Sequence, residues 1–122
     1  MIPKKVLVCD DEPYIVESIS YVVKEEKYTV LTAENGEEAL QLARAELPDV
    51  MILDVWMPNK DGNAVCRELK SDPATCKVYV IVLTAKGQES DMEESFQCGA
   101  DEYMLKPFSP RSLRKRLHEL LD

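Results

Sequence analysis

Residues Val50–Gly62 read VMILDVWMPNKDG, and the first five of them decide the fold. Val50 to Leu53 is an uninterrupted apolar run closed by a carboxylate, Asp54. A run so short and so apolar suits a central strand of a parallel sheet, buried on both faces. Packing alone gives no reason to end such a strand in an acid. Open α/β sheets, however, bind ligands in the crevice at the carboxyl ends of their strands. Pro58 and Asp61-Gly62 then mark a loop. Asp54 is therefore read as a nucleophile, with the rest of the chain positioning chemistry around it.

On both sides of this stretch, strands alternate with helices. Lys5–Cys9 (KVLVC) reads as a strand running into Asp10-Asp11-Glu12. Pro13 stands where a helix begins, and Ile15, Val16, Ile19, Val22 and Val23 follow at helical spacing. Tyr28–Ala33 is a second strand, broken by Asn35-Gly36. Gly36–Glu46 is a helix with Ala39, Leu40 and Ala43 inward and Pro48 as a stop. After the Asp54 loop, Asn63 is expected to cap a helix that buries Val65, Cys66 and Leu69 and ends at Ser71-Asp72-Pro73. Lys77–Leu83 (KVYVIVL) is the strongest strand signal, ending in Thr84-Ala85. Lys86–Ser90 reads as a polar loop. Asp91–Cys98 reads as a short helix with Met92 and Phe96 inward, closed by Gly99. A weaker strand, Glu102–Leu105, leads to Lys106-Pro107. The last helix opens at Ser109 or Pro110 and turns Leu113, Leu117, Leu120 and Leu121 inward. The expectation is an α/β protein, a doubly wound (βα)5 five-stranded parallel sheet of order 2-1-3-4-5, forming a single domain over residues 1–122.

Composition narrows the function. The net charge of −8 argues against direct contact with nucleic acid, whose phosphates demand cations. Arg111, Arg114, Lys115 and Arg116 crowd the last helix, and a solvated face is the plain reading of such a cluster. Cys9, Cys66, Cys76 and Cys98 form no CxxC pair, and His118 is the single histidine, so a zinc site is not expected. The cysteines suit a reducing compartment. Neither a signal peptide nor an apolar run of membrane-spanning length is present, so a cytoplasmic location without membrane contact is expected. A nucleotide-binding reading fails because no glycine pattern of the GxGxxG kind occurs.

The strand ends carry the chemistry. The first ends in Asp10 and Asp11, the third in Asp54, the fourth in Thr84 and the fifth in Lys106. In the order 2-1-3-4-5 the first and third strands are neighbours, which brings three carboxylates to one crevice. Such crowding raises the pKa of at least one of them unless a cation is bound. All-oxygen ligands suit Mg²⁺, which commonly shares its shell with phosphate. Lys106 and Thr84 could then hold the other phosphoryl oxygens while the Asp54 carboxylate attacks phosphorus to give an acyl phosphate. Taken singly, each residue has a plainer role: a helix start for the Asp pair, a loop lysine before proline, a β-branched strand end. Their convergence on one edge favours the functional reading.

The motifs VLVCDDE, ILDVWMPNKDG, VIVLTA and GADEYMLKPF stand in an order and at separations that resemble the receiver domain of two-component response regulators, over the whole chain from Lys5 to the last helix. The resemblance implies that Asp54 is the phosphoacceptor, that Asp11 and Asp10 hold Mg²⁺ (or Mn²⁺) with Asp54, and that the backbone carbonyl of Trp56 completes the metal shell. It implies that Thr84 is the switch hydroxyl, Tyr103 the aromatic switch and Lys106 the partner of the phosphoryl group, with the Lys106–Pro107 bond cis. Trp56 and Lys86 are atypical in character and are expected to rim the site. The Trp56 ring is expected to slow hydrolysis of the acyl phosphate.

The implied partners are a sensor histidine kinase or a histidine phosphotransfer protein as donor, and a downstream output domain or protein. Recognition would use the face of the fourth helix, fifth strand and fifth helix, where the basic cluster is expected to lie and where a homodimer could form. The protein would then be a phosphorylated switch rather than an enzyme. Two rival readings stand beside it. A haloacid-dehalogenase-like phosphohydrolase needs a second acid two residues after the nucleophile, where this chain has Trp56. A phosphorylation-independent pseudo-receiver would have no use for the intact set Asp10, Asp11, Asp54, Thr84 and Lys106.

Overall fold

The computed structural model describes residues 3–57, 60–85 and 90–122. Along the chain they form β1 (Lys5–Cys9), α1 (Pro13–Glu25), β2 (Thr29–Ala33), α2 (Gly36–Glu46), β3 (Val50–Asp54), α3 (Gly62–Ser71), β4 (Tyr79–Ala85), α4 (Ser90–Gln97), β5 (Glu102–Lys106) and α5 (Pro110–Leu121). All strand pairings are parallel, in the order β2-β1-β3-β4-β5. The expected topology is thus present.

The apolar strands divide their side chains between two cores with the two-residue period of a pleated sheet. Leu7, Met51, Leu53, Val80 and Val82 pack with Ala39, Leu40, Val65 and Leu69 of α2 and α3. The intervening Val6, Val8, Ile52, Ile81 and Leu83 pack with Ile15, Ile19, Leu113 and Leu117 of α1 and α5. A sheet covered on both faces leaves the crevice along its carboxyl edge as the place where polar groups can meet.

Several local expectations shift for identifiable reasons. Asp61, not Asn63, caps α3, its side chain accepting from the Ala64 N–H at 2.9 Å. Asn63 is instead buried and bonded to Ser95 of α4. β4 begins at Tyr79 because Lys77 and Val78 still belong to a turn, held by Thr75 Oγ1 on the Leu69 carbonyl and by Lys70 Nζ on the carbonyls of Cys76 and Val78. It continues to Ala85 because Thr84 and Ala85 pair with Leu105 and Lys106. Phe96 does not face inward: it is 46% exposed and meets Tyr103 edge-on, with ring centroids 5.6 Å apart. Pro58, Lys86 and the side chain of Met92 lie outside the described residues.

The basic residues of α5 do not form one solvated cluster. Arg114 reaches Glu25 at the end of α1 (2.7 Å) and Glu26, its C-cap (3.7 Å), whereas Arg116 holds Glu102 of β5 (2.7 Å) and the Tyr79 hydroxyl (3.2 Å). They point to opposite sides of the helix, so only Arg111 and Lys115 remain as exposed cations of the four. Among the described residues no helix is long and apolar enough to cross a membrane.

Candidate phosphoryl and metal site

Residues at the carboxyl ends of β1, β3 and β5 come together as their register requires. Cys9 pairs with Leu53, so Asp10 and Asp54, each one residue further on, leave neighbouring strands side by side. One carboxylate oxygen from each of Asp10, Asp11, Glu12 and Asp54 lies within 4.8 Å of all the others. Asp10 and Asp54 are buried, at 1% and 5% exposure. Asp10 Oδ1 accepts the Glu12 N–H (2.9 Å), and Asp54 Oδ1 accepts the Trp56 N–H (3.2 Å), so local backbone fixes one oxygen of each.

Gly62 sets how closely the loop after β3 folds back. Its N–H donates to the Val55 carbonyl at 2.8 Å, and a Cβ there would stand 2.2 Å from the Asp54 carbonyl oxygen. Any side chain at position 62 would push α3 away from the acceptor strand.

Lys106 enters from the end of β5, and its bond to Pro107 is cis. Its ammonium lies 2.9 Å from Asp10 Oδ2, 3.2 Å from Glu12 Oε1 and 3.5 Å from Asp54 Oδ2. Burial pulls the lysine pKa down, but Asp10 and the Asp54 charge outweigh that and raise it, so Lys106 is a fixed cation. For Asp54, burial and the neighbouring Asp10 charge outweigh Lys106 and the Trp56 N–H, pushing its pKa up to about 7. One lysine does not neutralise four acids.

The remaining candidates sit around this centre. Asp11, Glu12, Asp54, Trp56, Ala85 and Lys106 line an open cavity of about 380 Å³. Trp56 forms part of its rim and is 59% exposed. Thr84 is buried, one residue beyond Leu83, the register partner of Asp54. Tyr103, three residues before Lys106 on β5, is 40% exposed and rests against Phe96 rather than facing the acids. Lys86, expected at the rim, lies outside the described residues. The sequence reading did not single out Glu12 as a site residue; its place in an acidic triplet was the available signal.

The donor set fits a small divalent cation. It consists of oxygen atoms alone, as Mg²⁺ prefers. Among the described residues Asp10 Oδ2, although buried, makes no well-aligned hydrogen bond and has only the lysine ammonium for compensation. A buried carboxylate oxygen in that condition is costly, and the upward shift at Asp54 has the same origin.

Comparison with known proteins agrees with this geometry. The chain belongs to the response regulator receiver domain family, whose model matches residues 6–118. It is 43% identical, over 97% of its length, to the alkaline phosphatase synthesis transcriptional regulatory protein PhoP of Bacillus subtilis, covering 48% of that protein. The chain spans about half the length of the curated relatives it matches. Among solved structures it is similar to the chemotaxis response regulator CheY4 of Vibrio cholerae (TM-score 0.90, 31% identity, 98% of this chain and 99% of that one). It is also similar to the receiver domain of the sensor histidine kinase PA1611 of Pseudomonas aeruginosa PAO1, solved with magnesium coordinated in its active-site cleft (TM-score 0.89, 26% identity, 98% of each chain).

Proposed function

We propose that this chain accepts a phosphoryl group on Asp54 from the phosphohistidine of a sensor histidine kinase or a histidine phosphotransfer protein, and that the acyl phosphate switches the surface formed by α4, β5 and α5. The observation that carries the reading is the approach of Lys106 to both Asp10 and Asp54 beside a cluster of four carboxylates. In this reaction an Asp54 oxygen forms a bond to phosphorus, the bond from phosphorus to the donor imidazole nitrogen breaks, and that nitrogen takes up a proton. Lys106 and the Thr84 hydroxyl then bind phosphoryl oxygens, and water later cleaves the acyl phosphate.

Asp10, Asp11, Asp54 and the Trp56 carbonyl would hold Mg²⁺ (or Mn²⁺), as suggested by their oxygen chemistry and by the magnesium in the PA1611 receiver. When bound, the ion supplies charge neutralisation between the acidic cluster and the incoming phosphate.

Movement of Thr84 toward the phosphoryl group would free space for Tyr103 to turn inward from its contact with Phe96. A phosphoryl group adds roughly −1.5 to −2 charge at this edge, and a population shift of a few kcal/mol is enough to expose the change to a partner. The face to be read carries Phe96, Tyr103 and Leu105 as exposed apolar side chains, which suits an output domain or a second copy of the chain. PhoP of Bacillus subtilis is named as a transcriptional regulatory protein; by analogy this chain serves as the receiver portion of such a regulator. Under this reading the protein is a switch acting on its own label rather than a turnover enzyme.

Incubation with acetyl phosphate and Mg²⁺, followed by intact-mass measurement, tests the proposal. Wild type is expected to gain one phosphoryl group and Asp54→Asn none. Equal labelling of both, or no labelling of wild type, would refute it. In the same assay Trp56→Asn is expected to shorten the lifetime of the label a few-fold by opening the site to water; an unchanged or longer lifetime would remove Trp56 from that role.

A further inference from the structure

Glu12 occupies the N-cap position of α1, yet its side chain makes no capping hydrogen bond. Good N-cap residues are short, and glutamate is a poor one. The carboxylate turns instead to Lys106, 94 positions away, with Oε1 3.2 Å from Nζ. The backbone it leaves from is pinned, because the Glu12 N–H donates to Asp10 Oδ1. A glutamate carboxyl is an anion at neutral pH, so the contact with Lys106 is an ion pair.

Lys106 therefore has three acids around an ammonium with three N–H donors. They differ in how readily they can leave. The side chains of Asp10 and Asp54 are 0% and 6% exposed, whereas that of Glu12 is 42% exposed. A buried carboxylate that loses its cation is stranded, but an exposed one is taken up by water at little cost. An arriving phosphoryl group brings its own strong acceptors and competes for the same ammonium.

Building on the receiver reading above, we infer that Glu12 is a positioning residue: a placeholder that holds Lys106 until a phosphoryl group displaces it. Its carboxylate sets how much of the lysine's attraction is left for the incoming anion. Removing the contact frees Lys106 and strengthens binding of a phosphoryl mimic, whereas a purely structural N-cap residue would leave that binding unchanged.

Trp56 is the single tryptophan and lines the cavity, so its fluorescence serves as the readout. Beryllofluoride would be titrated at saturating Mg²⁺ into wild type, Glu12→Gln, Glu12→Asp, Lys106→Ala and the Glu12→Gln/Lys106→Ala double variant. Glu12→Gln is expected to bind about threefold to tenfold more tightly than wild type, the range for releasing Lys106 from one half-exposed ion pair. In the Lys106→Ala background the same substitution should change affinity by less than about twofold, since the partner is gone. Glu12→Asp keeps the charge but is a methylene shorter, and is expected to tighten binding in the same direction. Unchanged or weaker binding by Glu12→Gln would overturn the inference, as would wild-type affinity in Glu12→Asp or an equal effect with and without Lys106. Absence of beryllofluoride binding by wild type would instead remove the receiver reading on which the inference stands.

Discussion

Lys106 Nζ stands 3.5 Å from Asp54 Oδ2, a cation from the end of β5 beside an acid from the end of β3, with β4 between them in the sheet. Even with that cation present, burial and Asp10 keep the Asp54 carboxyl well above its ordinary range. Its folded pKa, about 7, exceeds the unfolded value of 3.8. The contribution is therefore fully present below the unfolded pKa and is lost as pH rises through the folded one. At pH 8 without metal, Asp54→Asn should be more stable than wild type by about 1–3 kcal/mol. Adding Mg²⁺ should narrow the gap by stabilising wild type alone. Urea denaturation of both proteins, in chelator and in Mg²⁺, checks this; a less stable Asn variant in chelator would count against it.

The buried bond from Ser95 Oγ to Asn63 Oδ1, 2.8 Å long, ties the first turn of α3 to α4. Replacing Ser95 by alanine removes the donor to the buried Asn63 Oδ1, at a cost of about 1–3 kcal/mol. The double Asn63→Ala/Ser95→Ala variant should cost clearly less than the two single losses added together. Strict additivity in chemical denaturation would show that the pair is not coupled.

Gly62→Ala should destabilise the fold by about 2–3 kcal/mol, because the new methyl meets the Asp54 carbonyl oxygen rather than a side chain able to turn aside. The loop must shift to relieve the clash, so labelling by acetyl phosphate should slow as well. Wild-type stability in a urea titration would mean that the loop has room to spare.

His118 lies between acids: Asp122 on Nδ1 and Glu26 on Nε2. Tyr28 donates to Asp122 at 2.8 Å, and Arg114 lies beside Glu25 and Glu26. Hydrogen bonds from the imidazolium to Asp122 and then Glu26 raise the histidine pKa. The resulting stability is complete below the unfolded value of about 6.5 and fades as pH rises through the folded one. The Tm of wild type should accordingly fall relative to His118→Gln between about pH 5.5 and pH 8. Parallel curves for the two proteins would show that the histidine charge contributes nothing to the fold.

What could be read from the sequence was what depends on local pattern. The apolar runs at Val6–Cys9, Val50–Leu53 and Val80–Leu83 are buried on both faces, and their polar ends meet because a parallel sheet has a single carboxyl edge. The departures arise where distant parts of the chain compete. Asp61 and Asn63 are both good N-caps; the choice falls on Asp61 because Gly62 must lie against the Asp54 carbonyl, which draws the helix start back by two residues. Phe96 has helical spacing suited to burial, but Tyr103 on β5 offers it an exposed aromatic edge. Arg114 and Arg116 form one cluster in sequence, and two different acidic neighbours draw them apart. Glu12 looks like an ordinary helix start until Lys106 is placed beside it.

The most direct test of the whole account is a crystal structure grown with Mn²⁺ and beryllofluoride, with the ion located by its anomalous signal. The account predicts beryllium bonded to an Asp54 oxygen, Lys106 turned onto a fluoride, and a single manganese peak against Asp10 and Asp11. Beryllium on any other carboxylate, or manganese bound away from these aspartates, would contradict it.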